Sequence, residues 1–408
     1  MKKLICIFLS CLVLFGMPTS VFAEDFEPDN PEYYEKFKGQ NISINVYNWG
    51  EYISDGSDDS MDVNLEFERL TGIKVNYTTF ANNEEMYAKI KGGGVSYDVI
   101  TPSDYMINRM IDEGMLSKLD YENIPNAKNI MPKFLGLEYD VGDEYSIPYT
   151  WGIVGIFYNT SMIDEEIDGW DVFWNEKYRD NMLMFSNSRD AFGVAQKYLG
   201  YSYNSENVED WDNALESLKE QKPLIQAYVM DEIFDKMAGG EVAIAPYYNG
   251  DAKMLMEDNP DIEFVFPKEG TNLFVDAMCI PIESKNKEAA ELYINFMLDP
   301  EVAFATTDYI GYATPNQAAY DLLDDDAKND PLFYPSDEVI ADTEVYLNLS
   351  KSTNDYLTDL WADLMKSSSS DDESNGFLVL LFMAGAILYV VVITIWRRHK
   401  KKNQYNYR

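Results

Sequence analysis

The chain has 408 residues, 46% of them hydrophobic, with 71 aspartates and glutamates against 32 lysines and arginines. A formal charge of −39 repels nucleic acid and anionic lipid and draws in cations. The single histidine, His399, stands in the C-terminal tail, which excludes Ser-His and Cys-His catalysis and histidine metal sites from the rest of the chain; acid–base work by two carboxylates is not excluded.

Residues 1–23 hold Lys2 and Lys3, an apolar run from Leu4 to Met17, then Val21-Phe22-Ala23 before the first acidic residues. That is the pattern of a secretory signal peptide cleaved after Ala23. A lipoprotein alternative would acylate Cys11, cutting the apolar run in half. The exported part carries every acidic residue and 24 basic ones, a charge of −47. Most of that charge reads as a solvated face. Cys279 is then the one cysteine outside the signal segment, so no disulfide framework is expected. Roughly 350 exported residues give room for two domains.

From 41 to 147 the pattern alternates. Ile42 to Tyr47 has apolar residues at every second position, a half-buried strand, and runs into Asn48-Trp49-Gly50-Glu51-Tyr52. In an open sheet ligands gather beyond the strand ends. Aromatic faces beside a carboxylate suit an organic cation, although packing is the more ordinary role for Trp49 and Tyr52, since large aromatics are mostly packing residues. A helix over Met61–Thr71, a strand over 73–77, a helix over Glu84–Lys91, a strand over Tyr97–Ile100 and a helix over 105–112 follow. This is a parallel sheet with right-handed crossovers. The strand ends at Trp49 and at Ser103-Asp104-Tyr105 are therefore expected to face one crevice.

A second alternating unit opens with the strand 153–158 and continues with Met182–Phe185. There Ser186 or Asn187 caps a helix to Leu199, with Asp190 in its first turn, where the dipole favours a carboxylate. A helix over 211–219 and a strand within 241–250 come next. In the strand Leu273 to Pro281, Asp276 interrupts an otherwise apolar run. A carboxylate buried there needs a partner, and an external cation is a reasonable one because basic residues are sparse nearby. Helices over 287–298, 301–307, 317–323 and 352–366 complete the exported part. Ser367 to Gly376 reads as a flexible stalk. Phe377–Trp396 is apolar and long enough to span a bilayer, and Arg397, Arg398 and three lysines after it keep the tail 397–408 cytoplasmic.

Several stretches, taken in order, carry a resemblance. They are Asn48-Trp49-Gly50-Glu51-Tyr52, Thr71-Gly72-Ile73-Lys74-Val75, Glu85-Met86-Tyr87-Ala88-Lys89, Pro102-Ser103-Asp104-Tyr105 and Tyr145-Ser146-Ile147-Pro148-Tyr149. Trp151-Gly152, Asn249-Gly250, Phe266-Pro267-Lys268-Glu269-Gly270, Asp276 and Gly311-Tyr312-Ala313-Thr314-Pro315-Asn316 continue the series. From Ile42 to Lys366 the chain resembles the spermidine/putrescine-binding proteins, the extracellular solute receptors of polyamine ABC importers.

The resemblance implies an α/β, two-lobed periplasmic-binding-protein fold of type II with a ligand cleft between the lobes, to which the sequence adds one C-terminal transmembrane helix. Lobe 1 would be 41–147 with 276–320, and lobe 2 would be 148–275 with 321–366. It implies that Trp49, Gly50, Glu51, Tyr52, Ser103 and Tyr105 line one side. Asn187, Asp190, Tyr248, Phe274, Asp276 and Tyr312 would supply the rest. Tyr248 and Phe274 stand where the family usually has tryptophans, Asn187 where it has a carboxylate, and its C-terminal glutamine contact falls near Ala362 and is absent from this sequence. The implied protein is a monomeric receptor for a polyamine, working with ABC permease and ATPase subunits. It is not an enzyme, it uses no cofactor or metal, and it binds no nucleic acid. Glu51, Asp190 and Asp276 would meet ammonium groups, and the aromatics would cover methylenes. The residues alone leave two alternatives. One is a receptor of the same fold for another cationic amine or a ferric complex. The other is a secreted glycosidase using two of those three carboxylates.

Overall fold

The computed structural model describes residues 26–366. The expected signal peptide, stalk, apolar segment 377–396 and basic tail lie outside the described residues. Among the described residues no helix is long and apolar enough to cross a membrane.

The first unit is parallel, as the alternation predicts. β1 (Ser43–Trp49) is flanked by β2 (Lys74–Phe80) and β3 (Val99–Ile100), both running parallel to it. The helix expected from Met61 begins at Val63, because the Asp62 carboxylate caps it by accepting from the Leu65 amide. It stops at Gly72, whose φ of 71° forms a left-handed cap. Helices Asn83–Gly92 and Asp104–Asp112 provide the next crossovers.

β4 (Ser146–Asn159) is longer than the expected strand at 153–158, and all its residues are buried. Pro148 argues against a strand start at 146, but a register irregularity between Pro148 and Thr150 accommodates it. β5 (Met182–Phe185), β6 (Ile225–Val229) and β7 (Ile244–Tyr248) form the parallel part of the second unit. β8 (Ile262–Val265) and β7 both run antiparallel to the second half of β4. β9 (Thr271–Cys279) pairs antiparallel with the first half of β4 and touches β3. β10 (Thr343–Glu344) adds to β9, and the main order is β2-β1-β3-β9-β4-β7-β5-β6.

Two hydrophobic cores divide the molecule into two lobes. One gathers Ile44, Val46, Phe67, Val99, Ile294 and Phe296 around β1. The other gathers Phe157, Trp170, Met184, Phe185 and Ile244 around β5 and β7. β4 belongs to the first core up to Ile153 and to the second from Val154. Together with β9 it therefore forms the connection between lobes. Close approach there requires glycine, since a Cβ on Gly152 would lie 2.6 Å from the Phe274 ring and 2.7 Å from Asn249 Oδ1. A smaller core of Phe192, Trp211, Leu218, Leu357, Leu360 and Leu364 docks the helix Lys351–Lys366.

Candidate functional site

The ends of β1 and β3 meet at β9. Trp49, the last residue of β1, packs on Phe80 at 4.6 Å between ring centroids, and its buried Nε1 has no hydrogen-bond partner. Glu51 takes a left-handed φ of 49°. That turn leaves Gly50 and Glu51 exposed and sends Tyr52 back inside. The Tyr52 hydroxyl donates to Asp276 Oδ2 at 2.7 Å and stands 2.6 Å from Thr150 Oγ1. Tyr149 fixes the same turn by donating to the Tyr52 carbonyl at 2.7 Å. After β3, Ser103 lies opposite Asp276 in an isolated antiparallel bridge and is held by Asn83 at 3.1 Å. Tyr105, in the first turn of the next helix, donates to Glu84 at 2.9 Å. The chain after β1 and the chain after β3 thus meet at Asp276 through Tyr52 and Ser103, while Trp49 itself is turned onto Phe80.

Asp276 lies at the centre, only 4% exposed. Its Oδ2 is satisfied by Tyr52, and its Oδ1 has no hydrogen-bond partner. Burial pushes this carboxyl up to about 6, with the Ser103 and Tyr52 hydroxyls offsetting part of the rise. Phe274, two residues earlier, presents its ring on the same face of β9. Tyr312 meets Tyr52 edge-on at 5.0 Å and Phe274 at 6.2 Å. A half-satisfied carboxylate set among aromatic rings is a ready site for an organic cation.

The second lobe brings Asn187, Asp190 and Tyr248 to the same place. Asn187 is the N-cap of the helix Ser188–Tyr198 and accepts from the Asp190 amide at 2.8 Å. It also donates from Nδ2 to Asp190 Oδ2 at 2.7 Å, so the capping role and the crevice position coexist. Tyr248 donates to the same oxygen at 2.6 Å, and its ring reaches Phe274 at 5.3 Å. Burial raises the Asp190 carboxyl, while Tyr248 and Asn187 lower it in part. Of the twelve residues singled out in the sequence, Tyr52, Ser103, Phe274, Asp276 and Tyr312 are joined by these contacts to one another and, through Tyr248, to Asn187 and Asp190; Trp49 packs on Phe80, Tyr105 stands beside Tyr346, and Gly50 and Glu51 are exposed.

Three further residues escaped the sequence reading. Thr150 shares the Tyr52 hydroxyl with Asp276. Asp251 accepts from the Tyr312 hydroxyl at 2.5 Å, and burial, then Asp231 and Glu51, push its carboxyl up to about 7 against the Tyr312 hydrogen bond. Its position directly after Asn249-Gly250 was the available signal. The third is Tyr346. Near Ala362, where the sequence offers no glutamine contact, the helix Lys351–Lys366 buries Thr353, Leu357, Leu360 and Leu364 against its own lobe. Tyr346 reaches the crevice instead, between Tyr105 at 6.3 Å and Tyr203 at 4.9 Å. It lies in a stretch without clear periodicity, so no sequence signal marked it.

Residues 65–335 match the family profile described as bacterial extracellular solute-binding protein. The chain is 36% identical over 306 residues to the spermidine/putrescine-binding periplasmic protein of Salmonella typhimurium (strain LT2), covering 74% of this chain and 86% of that protein. It is 31% identical over 343 residues to the putrescine-binding periplasmic protein SpuD of Pseudomonas aeruginosa, covering 79% and 92% respectively. Among solved structures, a Listeria monocytogenes chain, a spermidine/putrescine ABC transporter by its provisional description, superposes with a TM-score of 0.76 at 38% identity. The match covers 80% of this chain and 99% of that one. The spermidine/putrescine ABC transporter substrate-binding protein PotD from Streptococcus pneumoniae gives a TM-score of 0.69 at 39% identity, with the same coverage.

Proposed function

The chain belongs to the family of bacterial extracellular solute-binding proteins, and on that premise we propose that it captures a polyamine, spermidine or putrescine, between its lobes for delivery to an ABC importer. The observation that carries this reading is Asp276, a carboxylate with one buried oxygen unpartnered, enclosed by Tyr52, Phe274 and Tyr312. An ammonium group completes its hydrogen bonding and holds it ionised. Aromatic faces add cation–π attraction of about 0.5–2 kcal/mol each and cover the methylenes between amines. Asp190, Glu51 and Asp251 supply further negative charge, and Trp49, Ser103, Tyr105, Asn187 and Tyr248 complete the walls.

In this reading the lobe boundaries expected at 148 and 275 move to Ile153/Val154 and to the start of β9, where the cores change over, and the ligand lies at the junction. Because Asp276 and Tyr52 approach from one lobe and Asp190 and Tyr248 from the other, ligand contacts favour the closed arrangement. A membrane permease, driven by its ATPase, then recognises that arrangement. Export through residues 1–23 and anchoring through 377–396 would hold the receptor on the outer face of the membrane, beside its permease.

Calorimetric titration of the full chain in detergent with putrescine, spermidine, an oligosaccharide and a ferric complex tests this assignment. Saturable binding of a polyamine, with no heat from the other two, is the expected result. Binding of the sugar or the iron complex in place of the amines would overturn it.

A further inference from the structure

The start of β4 has an irregularity on which the Asp276 site depends. Between Pro148 and Thr150 the register against β9 shifts, and Tyr149 has no partner residue on that strand. Tyr149 and Thr150 nevertheless fix the turn after β1. Tyr149 donates to the Tyr52 carbonyl at 2.7 Å, and Thr150 Oγ1 stands 2.6 Å from the Tyr52 hydroxyl, which donates to Asp276 at 2.7 Å. A bulge leaves its extra residue unpaired and its strand free to bend. The aim of Tyr52 at Asp276 therefore rests on whatever backs this segment.

A small cavity lies behind it. Pro148, Tyr149 and Thr150 form one side, and the helix Pro300–Ile310 and the loop after it bring Thr306 and Thr314 to the other. The space open to the centre of a water molecule is about 10 Å³, roughly what one water needs. Thr306 is 3% exposed and stands close to the Tyr149 hydroxyl, yet its Oγ1 is buried without a hydrogen-bond partner. Leaving a buried hydroxyl unmet is unfavourable. Thr314 Oγ1 accepts from the Asn316 amide at 3.1 Å and keeps its own proton to donate. Two hydroxyls beside an unpaired backbone segment are the kind of polar lining that a buried water takes.

We propose that this cavity binds one ordered water through the Thr306 hydroxyl, and that Thr306 is thereby a positioning residue for the ligand site, supporting Tyr149 and Thr150 and through them the Tyr52 bond to Asp276. The effect on ligand rests on the polyamine reading above, whereas the water site does not. Slackening this support lets the Tyr52 hydroxyl drift from Asp276. That hydroxyl and Ser103 favour the ionised Asp276 against its burial, while the buried Asp104 carboxyl lies beside it, accepting from the Val275 amide. Without the Tyr52 bond the Asp276 carboxyl holds its proton to higher pH and meets an amine less often charged.

The test compares the full chain in detergent, as wild type, Thr306→Val, Thr306→Ser and Ala303→Val, the last filling the same cavity with methyl groups. Oxygen-17 magnetic relaxation dispersion counts long-lived waters in the unliganded protein, and calorimetry with putrescine and spermidine is run from about pH 5 to about pH 8, across the range in which Asp276 titrates. Thr306→Val and Ala303→Val should each lose one long-lived water and weaken both amines by about three- to tenfold, the worth of one hydrogen bond. The pH at which affinity is half lost should also move up in both, while Thr306→Ser keeps the wild-type water, affinity and pH profile. An unchanged water count in whichever of Thr306→Val and Ala303→Val folds would overturn the water site. Weakened binding with an unmoved pH profile would overturn the positioning role, as would Thr306→Ser behaving like Thr306→Val. A wild type that binds neither amine removes the polyamine reading and the positioning role with it, and the water count still decides the cavity.

Discussion

Asp276→Asn separates affinity from stability in a way that follows directly from the site. The substitution keeps shape and preserves an oxygen for the Tyr52 hydroxyl, but it removes the charge. Truncating one member of a desolvated ion pair costs about 2–5 kcal/mol, a loss of roughly thirtyfold to several thousandfold in Kd. The unliganded protein should respond oppositely. Burial raises the Asp276 carboxyl from 3.8 to about 6, so ionising it in the folded state is disfavoured by on the order of 3 kcal/mol. With the folded pKa above the unfolded one, the contribution to stability is complete below pH 3.8 and is lost as pH rises through about 6. Asparagine does not titrate, so the variant gains on the wild type across that window and keeps the gain above it. Calorimetry with putrescine and spermidine, paired with thermal melts of the unliganded chain at acid and mildly alkaline pH, reads both effects. A folded variant whose affinity stays within about threefold of wild type would refute the role of Asp276. A variant less stable than wild type at alkaline pH would refute the account of its burial.

Two other outcomes follow from the same geometry. Polyamine affinity should fall as pH drops from about 7 to about 5, because Asp276, raised to about 6, and Asp251, raised to about 7, must give up protons to an incoming cation. Calorimetry in buffers of different ionisation enthalpy should detect proton release near pH 6, and a flat profile there would contradict the assignment. Gly152→Ala should destabilise the fold by about 1–3 kcal/mol, since the new Cβ would sit 2.6 Å from the Phe274 ring where β4 and β9 cross between lobes. Denaturant melts showing no loss would mean that this approach is less tight than described.

The polar and apolar alternation of Ile42–Tyr47, the crossovers to the strand ending at Ile100, and the cap at Asn187 were all legible in the chain. Each rests on residues close together in sequence, where the periods of helix and strand decide which side chains share a face. Asp276 was legible for a different reason, since one carboxylate in an apolar strand announces a polar requirement wherever the strand packs. β6, β8 and the short helices Glu232–Ala238 and Ala252–Asp258 were not. β6 is mostly half-exposed and β8 has only four residues, too little for a period to show.

Composition and pattern by themselves determined an acidic chain of alternating α/β units with a carboxylate awaiting a cation, and marked the turn after β1 as a wall. Only the tertiary structure decided what that wall does: the left-handed turn at Glu51 exposes one carboxylate and drives the Tyr52 hydroxyl onto Asp276, 224 residues away. It also decided that Tyr346 reaches the helix Ser188–Tyr198 beside Asp190, and that Asp251 pairs with Tyr312. Those contacts join separate elements across two lobes, and their distances depend on how β4 and β9 bring the cores together, which no local period encodes.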